Sequence, residues 1–187
     1  SRRSISNYMY NHLGHLAEGQ HSLAKSLFLG GVTRRFPDLG FAFLEGGAAW
    51  GVSLYADLIG HWEKRNVRAL REHLDPALID MTLMGELLAK YAPPVPPGAR
   101  SISRPAEPED MLDEFAACGI ERAEDIKRLF VDPFYFGCEA DDPLTATAFD
   151  TRLNAFGARL QAMFGSDVAH WDVPDMTEVV PEAWEMV

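Results

Sequence analysis

Leu160-Gln161-Ala162-Met163-Phe164-Gly165-Ser166-Asp167-Val168-Ala169-His170-Trp171-Asp172 is the stretch that decides how this chain is read. The apolar run at 160–164 has the length and character of a short buried strand. It stops at an acid, Asp167, with a histidine, His170, three positions on. Asp175, with Glu178 three residues later, then predicts a helix over 175–186 opened by a capping pattern. A carboxylate at the C-terminal end of a buried strand is where an α/β barrel keeps its chemistry.

Working outward, two more stretches read the same way. Gly40-Phe41-Ala42-Phe43-Leu44 is short, apolar and bounded by glycines, and it runs into Glu45-Gly46-Gly47. Phe134-Tyr135-Phe136-Gly137-Cys138 closes on Glu139-Ala140-Asp141-Asp142. Helical patterning fills the intervals. Leu13, Leu16, Leu23, Leu27 and Phe28 share one face of a helix predicted over 7–35. Trp50, Leu54, Leu58 and Trp62 share a face over 48–66. A helical block over 67–91 is interrupted at Asp75-Pro76, a cap and first-turn pair. Pro93-Pro94-Val95-Pro96-Pro97-Gly98 reads as an extended surface loop, followed by short helices over 107–117 and 122–129. Asp142-Pro143 predicts the start of a helix reaching about residue 156. Strands alternating with helices mean a parallel sheet and the α/β class. The whole of 1–187 reads as one domain with a helical insertion at about 67–128.

With 28 acidic against 17 basic residues, the chain carries a formal charge of −11. That argues against a duplex nucleic-acid binder, which needs a basic face. No apolar run approaches the roughly 20 residues that span a bilayer, and Ser1-Arg2-Arg3-Ser4 is not followed by the apolar core of a signal peptide. The only two cysteines, Cys118 and Cys138, form no close-spaced metal motif and read as reduced thiols of a cytoplasmic protein.

Two strand ends that each offer a carboxylate, Asp167 and Glu45, suggest a divalent-metal or general-base site, with zinc or manganese as the expected ion. Asp167 can ligate a metal or take a proton from water, and His170 can ligate, orient substrate or shuttle protons. Against this stand plainer roles: a turn cap for Asp167, and for Glu45 an ion pair with Arg34 or Arg35. Glu139, in the acidic run at the third strand end, is a candidate substrate contact, whereas Asp142 reads as a helix cap. Trp50 and Trp171 are apolar anchors first and substrate-binding walls second. His12 and His15 lie three apart on a helix but lack the glutamate of a His-Glu-x-x-His site, and read as solvated.

Leu29-Gly30-Gly31-Val32-Thr33-Arg34-Arg35-Phe36-Pro37-Asp38-Leu39 followed by Phe41-Ala42-Phe43-Leu44-Glu45-Gly46-Gly47, the segment with Trp50 and His61-Trp62-Glu63, and Phe164-Gly165-Ser166-Asp167 with His170-Trp171 together resemble the amidohydrolase-related family. The resemblance implies a metal-dependent (β/α)8 TIM barrel that hydrolyses C–N or C–O bonds or decarboxylates an unsaturated or aromatic carboxylic acid. It implies that Asp167 is the metal-binding or basic Asp ending the last strand. Glu45 stands where the family usually places a His. The family's first-strand His-x-His and the His ending its fifth strand have no counterpart here. A barrel takes roughly 250 residues, so the expectation is a partial barrel: about the last three strands with their helices, the N-terminal half preceding Ser1, or a homo-oligomer covering the open sheet. The competing expectation is a non-catalytic interaction domain or a small-molecule-binding α/β domain.

Overall fold

The computed structural model describes residues 4–93 and 111–185. The Pro-rich loop from Pro94 onward, the start of the helix predicted at 107–117 and Met186 lie outside them. Among the described residues there are three strands and eight α-helices. The strands are β1 (Phe41–Phe43), β2 (Phe134–Glu139) and β3 (Gln161–Gly165). They form one parallel sheet in the order β1-β2-β3, with Phe41 opposite Phe134 and Glu139 opposite Gly165. The fold is thus mixed α/β. β2 is the middle strand, while β1 and β3 each keep one edge unpaired among the described residues.

Contacts divide the chain into two compact units, 1–62 with 115–187, and Glu63–Glu114. The second is shorter at its C-terminal end than the insertion expected at 67–128. The reason is packing: Phe115, Cys118, Ile126, Leu129 and Phe130 are buried in the core of the sheet unit.

In the sheet unit, side chains alternate along each strand. Phe43, Phe134, Phe136 and Cys138 point to one face and are buried in a single cluster. α4 (Ala49–Arg65) covers that face with Leu54, Tyr55, Leu58 and Ile59, spaced to form one stripe. Gly51 sits where the helix crosses β2; a methyl group there would run into the Phe136 ring. α2 (His15–Leu29) adds Ala24 and Phe28, and α7 (Asp125–Val131) adds Ile126, Leu129 and Phe130. The opposite face of the sheet carries Ala42, Tyr135, Gly137 and Met163, and Ala42 is exposed.

Several boundaries differ from expectation for local reasons. The helix expected over 7–35 is three helices: α1 (Tyr8–His12), α2 and α3 (Val32–Arg35). They are separated by Gly14 and Gly31, both at positive φ of 72° and 68°. The helix expected from Asp142 to 156 is not α-helical. It is a 3₁₀ stretch, Pro143–Ala148, then turns and a second short 3₁₀ piece, Ala155–Gly157. Asp150 takes the amides of Arg152 and Leu153 on its side chain, and the buried Asn154 amide donates to the carbonyls of Thr147 and Ala148. These bonds compete with a helical ladder. Asp175 likewise caps a turn through Thr177, so α8 starts later, at Val179–Glu185. The described part of the helix predicted at 107–117 holds turns and a 3₁₀ piece, Ala116–Cys118.

The second unit holds α5 (Val67–His73), capped by Asn66, a 3₁₀ turn capped by Asp75, and α6 (Met81–Tyr91), capped by Asp80. Every described residue from 71 to 93 is exposed. No helix among the described residues is long and apolar enough to cross a membrane. Cys118 and Cys138 are both buried and not disulfide-bonded, and the Cys118 thiol donates to the Phe28 carbonyl.

Candidate functional site

Parallel strands end on the same side of their sheet, and all three here end in a carboxylate or run into one within two residues. β1 runs into Glu45, β2 ends on Glu139, and β3 runs through Gly165-Ser166 into Asp167. All three carboxylates line one cleft of about 860 Å³. Glu45 and Asp167 both take left-handed backbone conformations, with φ of 61° and 46°, and Ala169 follows at 80°. Each such non-glycine residue costs on the order of 1 kcal/mol or more, so two strand ends hold their carboxylates at a local expense. Neither arginine competes for Glu45: Arg35 donates to the Gly30 carbonyl at 2.7 Å and Arg34 to that of Ala117.

The loop after β3 builds the centre of the cleft. The His170 amide donates to the Asp167 carbonyl at 3.0 Å, closing a turn. The turn brings His170 Nδ1 to 3.1 Å from Asp167 Oδ2 and into a short contact with Asp172 Oδ1. One ligand atom from each of Asp167, His170 and Asp172 lies within 4.8 Å of the others. Glu45 lines the same cleft but is not one of this close group, whose third member is Asp172. The hydrogen bond to Asp172 raises the His170 pKa above the usual histidine value, with Asp167 and Glu45 adding to it against a desolvation penalty. Asp172 is lowered in turn by the same hydrogen bond. Glu139 is raised, first by burial and then by the charges of Asp141, Asp167, Asp172 and Glu45.

The N-terminal segment forms the facing wall. Tyr8, His12 and His15 line the cleft. The Tyr8 and His12 rings stack at 5.1 Å, and the Tyr8 hydroxyl meets His12 Nδ1 at 3.1 Å. Trp171, 72% exposed, sets its ring edge-on to Tyr8 at 6.1 Å. Asp142 also lines the cleft while capping the following turn through the Leu144 amide. Among the described residues, no lysine or arginine lines it.

The cleft therefore brings together Glu45, Glu139, Asp167, His170 and Trp171. Trp50 is not among its lining residues. Its ring packs in the core on Phe43 and Phe136, at 5.2 and 5.1 Å, so the expected substrate contact gives way to a structural one. Sequence reasoning passed over Asp172, and it set aside His12 and His15. The signal for Asp172 was on the page: acid, imidazole and acid at 167, 170 and 172 in one short loop ahead of Pro174. Comparison of the chain with family models, with curated proteins and with solved structures gave no match.

Proposed function

We propose that this cleft is the active site of a metal-dependent hydrolase or non-oxidative decarboxylase of the amidohydrolase-related type, and that the sheet is the last three strands of a (β/α)8 barrel. The observation that carries the reading is the Asp167–His170–Asp172 group, set with Glu45 and Glu139 at the C-terminal edge of three parallel strands. Two further features support the barrel. Strands follow one another in sequence order. Both connections, α4 and the stretch 143–157, bury side chains in the one cluster on one face of the sheet. Connections kept to one face favour a barrel over a doubly wound sheet, whose helices cover both faces.

The donor set fits a divalent ion. Two carboxylates and an imidazole are three ligands of the kind zinc and manganese accept, which leaves an open position for substrate. A cation there would supply Lewis-acid polarisation of the bond to be broken. The cleft's own charges also call for one. Among the described residues, five carboxylates and three histidines but no lysine or arginine line it, so a bound cation would favour entry of an acidic substrate. Asp167, Asp172 and His170 would hold the ion. Below its pKa, His170 would have to give up its Nδ1 proton to hold the ion, so binding would weaken in acid. Glu139, whose pKa is raised first by burial and then by the neighbouring carboxylates, would be the group that gives a proton to the substrate. Trp171 and Tyr8 offer aromatic faces to an unsaturated or aromatic acid.

The test is calorimetric titration of the 187-residue chain with zinc and with manganese, wild type beside Asp167→Ala. The expected result is about one ion per chain, bound more tightly as pH rises through the His170 pKa and at least about tenfold more weakly by the variant. Equal binding by both proteins would remove Asp167 from the site.

One observation favours a second reading, a binding domain without catalysis. An apolar cavity of about 320 Å³ lies beside Glu139, lined by Cys138, Phe149, Ala162, Phe164 and Trp184. Thermal stabilisation by aromatic acids in the absence of any divalent ion would favour it.

A further inference from the structure

α6 sorts its side chains by character. At 100° per residue, Met81, Leu83, Met84, Leu87, Leu88 and Tyr91 fall within an arc of about 160°, and Thr82, Glu86, Ala89 and Lys90 take the rest. A stripe of that width is what a helix buries. Yet none of its residues is buried, and the six apolar side chains keep between 37% and 70% of their surface exposed. The helix itself is well begun: the Asp80 carboxylate accepts from the amides of Thr82 and Leu83 at 3.0 and 2.9 Å.

We propose that this face of α6 is a dimer interface, covered by α6 of a second copy of the chain. Area, charge and symmetry choose that occupant. The six side chains expose roughly 600 Å², most of the about 800 Å² per partner in a stable interface. The only charged side chains on α6 are Glu86 and Lys90, one of each sign. A neutral helix asks for no charged partner, and it lacks the basic face with which amphipathic helices settle on anionic membranes. An antiparallel two-fold pairing about residue 86 sets Met81 against Tyr91 and Met84 against Leu88, so one patch serves both copies. Gly85 borders the stripe with open space beside it, which lets two helices approach closely.

The test is analytical ultracentrifugation of the full chain from about 1 to 100 µM, for wild type, Leu88→Glu, Met84→Glu and, on the sheet unit, Trp184→Glu. The expected result is a wild-type dimer. Each α6 variant should weaken it by about a hundredfold or more, because each buries an unpaired carboxylate against an apolar side chain of the partner. Helical circular dichroism should be unchanged, and Trp184→Glu should have no effect. A wild type that stays monomeric throughout overturns the proposal, as does a dimer that survives both α6 changes. A dimer lost only in Trp184→Glu would move the interface to the sheet unit and overturn it too. A monomer that sediments with phosphatidylcholine vesicles would replace the second copy with a lipid surface.

Discussion

His170 is the residue on which the cleft's electrostatics turn, because two carboxylates compete for its Nδ1. The hydrogen bond to Asp172 raises its pKa above the ordinary value. The folded chain therefore holds this proton more tightly than the unfolded chain does. The resulting contribution to stability is complete below the unfolded pKa and disappears as pH rises through the raised folded value. Asp172→Asn should bring the His170 pKa down, read from its ring protons by NMR. The melting temperatures of wild type and variant should differ at mildly acidic pH and converge at alkaline pH. An unchanged His170 titration would show that the contact with Asp172 does not govern the imidazole.

At the scale of elements, the contact between α4 and β2 decides how the sheet unit holds together. Leu58→Ala opens a cavity under a buried side chain and should cost about 2–5 kcal/mol. Gly51→Ala sets two effects against each other. Alanine favours a helix over glycine by about 1 kcal/mol, but the added methyl meets the Phe136 ring, and overpacking costs about 1–3 kcal/mol. Destabilisation should win, and urea denaturation should show both variants below wild type. α4 was legible in the sequence because Leu54 and Leu58 recur at helical spacing, and the strands because 41–43 and 134–138 are apolar runs closed by acids. The stretch 143–157 was not legible. Its outcome rests on Asp150 and Asn154 bonding to nearby backbone, and hydrophobic spacing carries no trace of that competition. At the site, the strand-end carboxylates could be read from position alone. The partnership of His170 with Asp172 was signalled only by their spacing, and its geometry was not legible, since it depends on a turn through two residues at positive φ.

For the whole molecule, the two units differ in what protects them. Phe134 and Phe136 are fully buried, whereas nothing on α6 is. Hydrogen exchange at dilute concentration should leave β2 amides protected long after those of α6 have exchanged. Protection of α6 should grow with protein concentration as its stripe is covered. If α6 exchanged as slowly as β2 in dilute solution, a partner within the same chain would already cover it. The sheet has a different exposure. The outer edge of β3 presents backbone groups unpaired among the described residues, beside Met163 and the largely uncovered Phe164. Such an edge is a template on which a strand from any unfolded neighbour can nucleate. Recovery of this chain from denaturant is then a race between intramolecular closure and intermolecular strand addition, one that dilution, low temperature and a charge at position 164 would each tilt toward the soluble fold.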